Sequence, residues 1–164
     1  FLRYQQVRSG LAFDVYRVGN LYGPRQPSDG SQGVIAIWMR HILEGRSLDV
    51  YGDHETIRDY VFVGDAARLM LLSLENLSDS DTYNLGTGRP VSLLDLVEVL
   101  KRVVDVPFRV NLNARRSFDN QGTVLDSAKI LSRVPDFTFR DFDKAIFETW
   151  QVAKVAGERR RSLH

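Results

Sequence analysis

Strand-forming runs and helix-period stretches alternate along almost the whole chain, and that alternation limits the fold more than any other feature of the sequence. Strands bury side chains with a period of two and helices with a period of 3.6, so a chain that keeps switching has to lay helices against a sheet. Leu11 to Val18 is β-branched and aromatic, and Gly19-Asn20 and then Gly23-Pro24 stop it. Residues 1–9 read as a helix end with Gly10 as its C-cap. From Asp29 to Gly45, turn residues give way to Val34, Ile37, Trp38 and Ile42 at helical spacing. Leu48–Tyr51 and Asp59–Val63 read as short strands, and Asp65 as the start of a helix carried by Ala66–Leu77. Thr82–Leu85 is a strand, Gly86-Thr87-Gly88 a tight turn, and Ser92 with Asp95 a capping box that opens a helix to about Val104. A strand near Phe108–Leu112, a basic loop, and helices at about Ser127–Arg133 and Asp141–Ala153 follow, with a charged tail expected to fray from Gly157 to His164. The fold class is therefore α/β.

Charge narrows the function. The 22 basic and 21 acidic side chains leave a formal net charge of +1, so no global field would hold nucleic acid or an anionic membrane surface. Any phosphate recognition has to be local. Arg159-Arg160-Arg161 is the one basic run, and short terminal runs of this kind are ordinarily solvated. The chain has no cysteine, which removes disulfides, thiolate metal sites and cysteine nucleophiles and suits a reducing compartment, so a cytoplasmic location is expected. No apolar run reaches the roughly 20 residues of a membrane span, and Phe1-Leu2-Arg3-Tyr4 reads as cut from something longer. The three histidines share no metal-ligand spacing, so no metal site is expected.

Three arginines, Arg17, Arg58 and Arg116, sit in loops or at strand ends, where a guanidinium fork can grip a diphosphate through paired charge-assisted hydrogen bonds. The same residues can form weak surface ion pairs, with Asp59 and Asp119 among the nearby carboxylates. Gly86-Thr87-Gly88 can be a phosphate cradle or a purely structural turn. Tyr51, Tyr60 and Phe62 fit core packing more simply than base stacking. The residues alone leave these alternatives open.

Taken in order, Arg17-Val18-Gly19-Asn20-Leu21-Tyr22-Gly23-Pro24-Arg25-Gln26, Val50-Tyr51-Gly52-Asp53, Arg58-Asp59-Tyr60-Val61-Phe62-Val63-Gly64-Asp65 and Tyr83-Asn84-Leu85-Gly86-Thr87-Gly88 resemble the C-terminal half of the NAD-dependent epimerase/dehydratase family, the extended short-chain dehydrogenases/reductases. The resemblance runs from residue 1 to about 153. It implies a substrate-binding C-terminal lobe joined to the last strands and helices of a Rossmann-type lobe. Residues 1–26 and about 64–90 would belong to the Rossmann lobe, and 27–63 and 91–156 to the substrate lobe, with 157–164 as the tail.

Position by position, the resemblance implies that Asn20 contacts the sugar diphosphate and that the backbone near Val18 lies by the nicotinamide of NAD or NADP. Gly33 and Val34 would face the nucleotide, and Asp49 and Tyr51 lie on the strand that edges the nucleobase. Arg58 and Arg116 would bind phosphate and Asp119 the ribose hydroxyls. Arg116-Ser117-Phe118-Asp119 resembles the family's Arg-x-x-Asp, with Phe118 where glycine is usual, and Asp126-Ser127-Ala128-Lys129 its Asp-x-Ser-Lys helix start.

The family's glycine fingerprint and Tyr-x-x-x-Lys pair do not occur in these residues, and the resemblance puts them upstream of Phe1. It thus implies no catalytic residue here and no activity of this stretch alone. The implied parent protein is a homodimeric enzyme acting on a nucleotide diphosphate sugar, as an epimerase of the UDP-glucose 4-epimerase kind, a 4,6-dehydratase or a reductase. A non-catalytic nucleotide-sugar-binding module is the alternative from another class.

Overall fold

The computed structural model describes residues 1–30, 32–51, 56–75, 80–114 and 122–161, the last three by backbone alone. In chain order the elements are α1 (Leu2–Ser9), β1 (Asp14–Val18), β2 (Asn20–Tyr22), α2 (Val34–Leu43), β3 (Leu48–Tyr51), β4 (Ile57–Phe62), α3 (Val63–Leu74), β5 (Asp81–Leu85), β6 (Pro90–Ser92), α4 (Leu93–Val103), β7 (Val110–Asn113), α5 (Ala128–Leu131) and α6 (Phe142–Arg161). The α/β class follows directly, and three of the four strand pairings are parallel: β1 with β5, β2 with β4, and β3 with β7. The fourth, β4 with β6, is antiparallel.

The run expected to stop at Gly19-Asn20 instead changes partner there. β1 pairs with β5 through Val18↔Leu85, and β2 resumes at once on β4 through Asn20↔Tyr60. Gly19 makes this possible: its N–H donates to the Leu85 carbonyl at 2.9 Å, and a Cβ at this position would stand 2.8 Å from the Asp59 carbonyl oxygen. Such an approach excludes any side chain.

Several boundaries move for local reasons. β4 passes straight into α3, with Phe62 as an extended N-cap, so Asp65 lies inside the first turn instead of opening the helix. There its buried carboxylate accepts the Arg140 N–H at 2.7 Å. The capping box forms as expected, Asp95 N–H donating to Ser92 Oγ at 3.0 Å and Ser92 N–H to Asp95 Oδ2 at 2.9 Å. The fraying expected from Gly157 is corrected as far as Arg161, to which α6 continues, and 162–164 lie outside the described residues. Gly157 lies where a Cβ would come within 3.4 Å of Leu43 on α2, so α6 still runs beside α2 at that position.

The larger core lies between α2, α4 and α6 and the strands β2, β3, β4 and β6. Ile35, Met39, Ile42, Leu96, Leu100, Ile146 and Trp150 are almost completely buried in it. The Trp150 indole N–H reaches out to Asp105 at 2.8 Å, so the ring is apolar on its faces and satisfied at its one donor. A second cluster, Val61, Ala66, Leu69, Tyr83, Leu85 and Ile130, joins β1, β5 and α3 to the stretch around α5. Arg133 ties that stretch to the strands, donating to the Tyr83 hydroxyl at 2.6 Å and to Asp14 at 3.3 Å. No helix among the described residues is long and apolar enough to cross a membrane.

Trp150→Ala should lower the unfolding free energy by about 3–5 kcal/mol, the usual result of emptying a large aromatic site in a core. Urea denaturation followed by far-UV circular dichroism measures it.

Candidate functional site

A cavity of about 720 Å³ opens where β2, β3, β4 and the start of α2 meet. Asn20, Gly33, Val34, Tyr51 and Arg58 all line it, so five of the positions singled out in the sequence converge on one space. Each arrives on a different device. Asn20 opens β2 and its amide donates to the Asp59 carbonyl at 3.5 Å. Tyr51 closes β3. Gly33 is the N-cap of α2 with φ of 86°, a left-handed turn that glycine takes without strain.

The described wall carries a positive charge. Arg58 is the one charged residue among the described lining residues, and its guanidinium is steadied by donating to the Ile57 carbonyl at 2.8 Å. The N-terminus of α2 has no side-chain cap, and Val34 and Ile35 of its first turn belong to the wall. Free amides and the positive end of the helix dipole there favour a negative group. Tyr60 adds a neutral hydroxyl, because burial pushes its phenol up to about 12, with the nearby Arg58 guanidinium opposing that shift.

Asp59 serves the site from behind. Adjacent strand residues point to opposite faces, so the carboxylate next to Arg58 turns away from the cavity. It is fully buried, and it accepts the Thr87 N–H (2.9 Å), the Thr87 hydroxyl (2.6 Å), the Gly88 N–H (3.2 Å) and the Leu125 N–H (3.1 Å). The Gly86 N–H meanwhile donates to Ser127 Oγ at 2.7 Å. All three amides of the Gly86-Thr87-Gly88 turn are therefore spent within the protein. The turn is a structural clasp, and the phosphate-cradle reading of it is overturned.

Other positions singled out in the sequence lie elsewhere. Val18 packs beside the second core cluster at the C-terminal end of β1, outside the cavity. Asp49 is exposed and accepts from the Asn111 amide at 3.0 Å. Arg17 is exposed on β1. Arg116 and Asp119 lie outside the described residues. Tyr60 and Phe62 pack edge to face against Tyr22, in keeping with the core reading.

Residues that sequence reasoning missed complete the wall: Gln26, Gln32, Thr56 and Leu93. Gly122 is a further one. It has φ of 104° and lies so close to β4 that a Cβ there would overlap the Ile57 carbonyl and come within 3.1 Å of Arg58 Nη1. Nothing in the local sequence marks such a long-range approach.

Comparison with known proteins fits this geometry. A family model described as the NAD dependent epimerase/dehydratase family matches residues 2–86. The chain belongs to that family. It is 34% identical over 95 residues to a putative UDP-glucose 4-epimerase of Methanocaldococcus jannaschii, covering 58% of this chain and 30% of that protein. It is 31% identical over 149 residues to a dTDP-glucose 4,6-dehydratase of an Actinoplanes species, covering 90% of this chain and 45% of that one. Among solved structures, UDP-glucose 4-epimerase of Thermotoga maritima with UDP-glucose superimposes with a TM-score of 0.82 at 29% identity, over 99% of this chain and 50% of its own. The chain thus spans half or less of the length of these relatives.

Asp59→Ala should destabilise the chain by about 3–5 kcal/mol, because three amides and a hydroxyl lose their one buried acceptor together. Urea unfolding of the variant beside the unaltered chain gives the difference.

Proposed function

We propose that this chain is the nucleotide-sugar-gripping portion of an NAD(P)-dependent nucleotide-sugar epimerase of the UDP-glucose 4-epimerase kind. One observation carries the reading: the cavity combines Arg58 and an uncapped helix N-terminus with no carboxylate among its described lining residues. A diphosphate is the ligand such a wall suits best. Asn20 and Tyr60 then hold the sugar end, and Gly33, Val34 and Tyr51 the nucleotide end. Arg116 is assigned to phosphate and Asp119 to the ribose hydroxyls by resemblance alone, and Asp49 enters only through the backbone of β3.

The cofactor meets this chain at its edge. Val18 closes β1 beside β5, at the carboxyl ends of parallel strands, where open α/β sheets receive their ligands. That placement fits a backbone contact with a nicotinamide. The bound dinucleotide would supply hydride transfer at the sugar, and the contribution of these residues is to hold the sugar in register and to shield it from water. By this reading the 164 residues alone bind without turning over substrate.

Dehydratase or reductase chemistry on the same grip is the second reading, supported by the dTDP-glucose 4,6-dehydratase relative, which aligns along nine-tenths of this chain. Product analysis with the full-length protein separates the two, and it also separates both from a non-catalytic module.

Calorimetric titration of the chain with UDP, dTDP, GDP, CDP and NAD tests the grip. One or more of the nucleoside diphosphates should bind, NAD alone should not, and Arg58→Ala should weaken binding roughly ten- to hundredfold. Equal affinity in the Arg58 variant, or no binding of any nucleoside diphosphate, would contradict the reading.

A further inference from the structure

Thr56 is the least explained residue of the cavity wall. Its side chain is 4% exposed, and its Oγ1 is buried with no hydrogen-bond partner. A hydroxyl taken out of water without a partner destabilises the fold that holds it, so natural sequences rarely keep one where an apolar side chain of the same shape would serve. Valine has that shape. This hydroxyl belongs to a residue that lines a ligand-sized space.

Its place along the wall indicates which part of a ligand it meets. Alternate residues of an extended chain share a face, about 6.6 Å apart. Arg58 and Tyr60 accordingly share one face of β4, and Thr56, just before the strand begins, lines the same cavity. At one end Tyr60 is in register with Asn20, and at the other Thr56 stands five positions along the chain from Tyr51, the last residue of β3. A ligand with its diphosphate on Arg58 and its sugar toward Asn20 therefore lays its nucleoside beside Thr56.

We propose that Thr56 is a ligand-contacting residue whose hydroxyl is held unpaired in the free protein to hydrogen-bond a ribose hydroxyl of the nucleotide sugar. This inference rests on the nucleotide-sugar reading of the cavity. It makes Thr56 a group that costs the free protein stability and returns it on binding, with opposite consequences for the two when the hydroxyl is removed. Gln26 is set up in a similar way, its Nε2 donating to the Leu21 carbonyl at 3.3 Å while its Oε1 stays buried and unpartnered on the same wall.

The test compares the unaltered chain with Thr56→Val and Thr56→Ser, by urea unfolding without ligand and by titration with UDP and with the analogue lacking both ribose hydroxyls. Thr56→Val should be as stable as the unaltered chain or more so, yet bind UDP roughly three- to tenfold more weakly. Thr56→Ser should keep most of the affinity for UDP. Against the analogue, the unaltered chain and Thr56→Val should bind alike, since the group that Thr56 meets is already gone. A less stable Thr56→Val chain, undiminished UDP affinity in that variant, or additive losses against the analogue would each overturn the proposal. If UDP affinity responds to Arg58→Ala but not to Thr56→Val, this inference alone falls. If the unaltered chain binds no nucleoside diphosphate, the nucleotide-sugar reading falls and this inference with it.

Discussion

The carboxylate of Asp59 is the interaction on which the rest of this structure depends. Four hydrogen bonds from Thr87, Gly88 and Leu125 converge on it with the side chain wholly out of water. A buried charge is tolerated only when such donors replace its hydration, and once they do, each of them is fixed in place. The result is that β4, the turn after β5, and the chain entering α5 are locked at one point. Ser127 doubles the lock, accepting the Gly86 N–H and donating to the Gly86 carbonyl at 2.8 Å.

That lock sets the opposite face of β4. Because Asp59 points inward, Arg58 and Tyr60 are presented together to the cavity, with Thr56 on the same wall just before the strand. Gly19 and Gly122 bring two further segments against the same strand at distances no side chain permits, one turning β1 into β2 and the other passing over the Arg58 guanidinium. The cavity is therefore a junction of several chain segments held by backbone contact. The proposed grip on an anion rests on one guanidinium and one uncapped helix end set in a wall without described carboxylates.

Much of this was legible in the sequence, because it is encoded locally. Gly10 as a helix stop and the Ser92–Asp95 capping box are short-range patterns found where their spacing places them, and α2 forms as its spacing predicts, with Trp38 and Ile42 buried but Ile35 and Met39 buried in place of Val34 and Ile37. Of the five cavity residues, Asn20, Tyr51 and Arg58 came from the ordered family blocks, whose spacing carries three-dimensional information that composition does not, and Gly33 and Val34 from the same resemblance at the start of α2. What was not legible depends on partners distant in the chain. The switch of strand partner at Gly19 needs Asp59, and the spent amides of the Gly86 turn need Asp59 and Ser127. The roles of Thr56 and Gly122 need the packed wall around Arg58. The length of α6 was missed because a charged composition and Gly157 read as an end, whereas the helix runs through Gly157 beside Leu43 of α2.

The claim at the centre of this account is that the cavity beside β4 is where a nucleotide sugar sits. Backbone amide NMR of the chain during titration with UDP-glucose tests it most directly, since each amide reports its own surroundings. The account predicts that the largest shifts fall on Asn20, Gly33, Val34, Arg58 and Tyr60, with little change on the far side of α2. A second cavity of about 510 Å³ lies there, between the 23–29 loop, α2 and α6, and is lined by Met39, Thr149 and Gly157. Shifts that cluster on those residues, with Arg58 and Tyr60 unmoved, would contradict it.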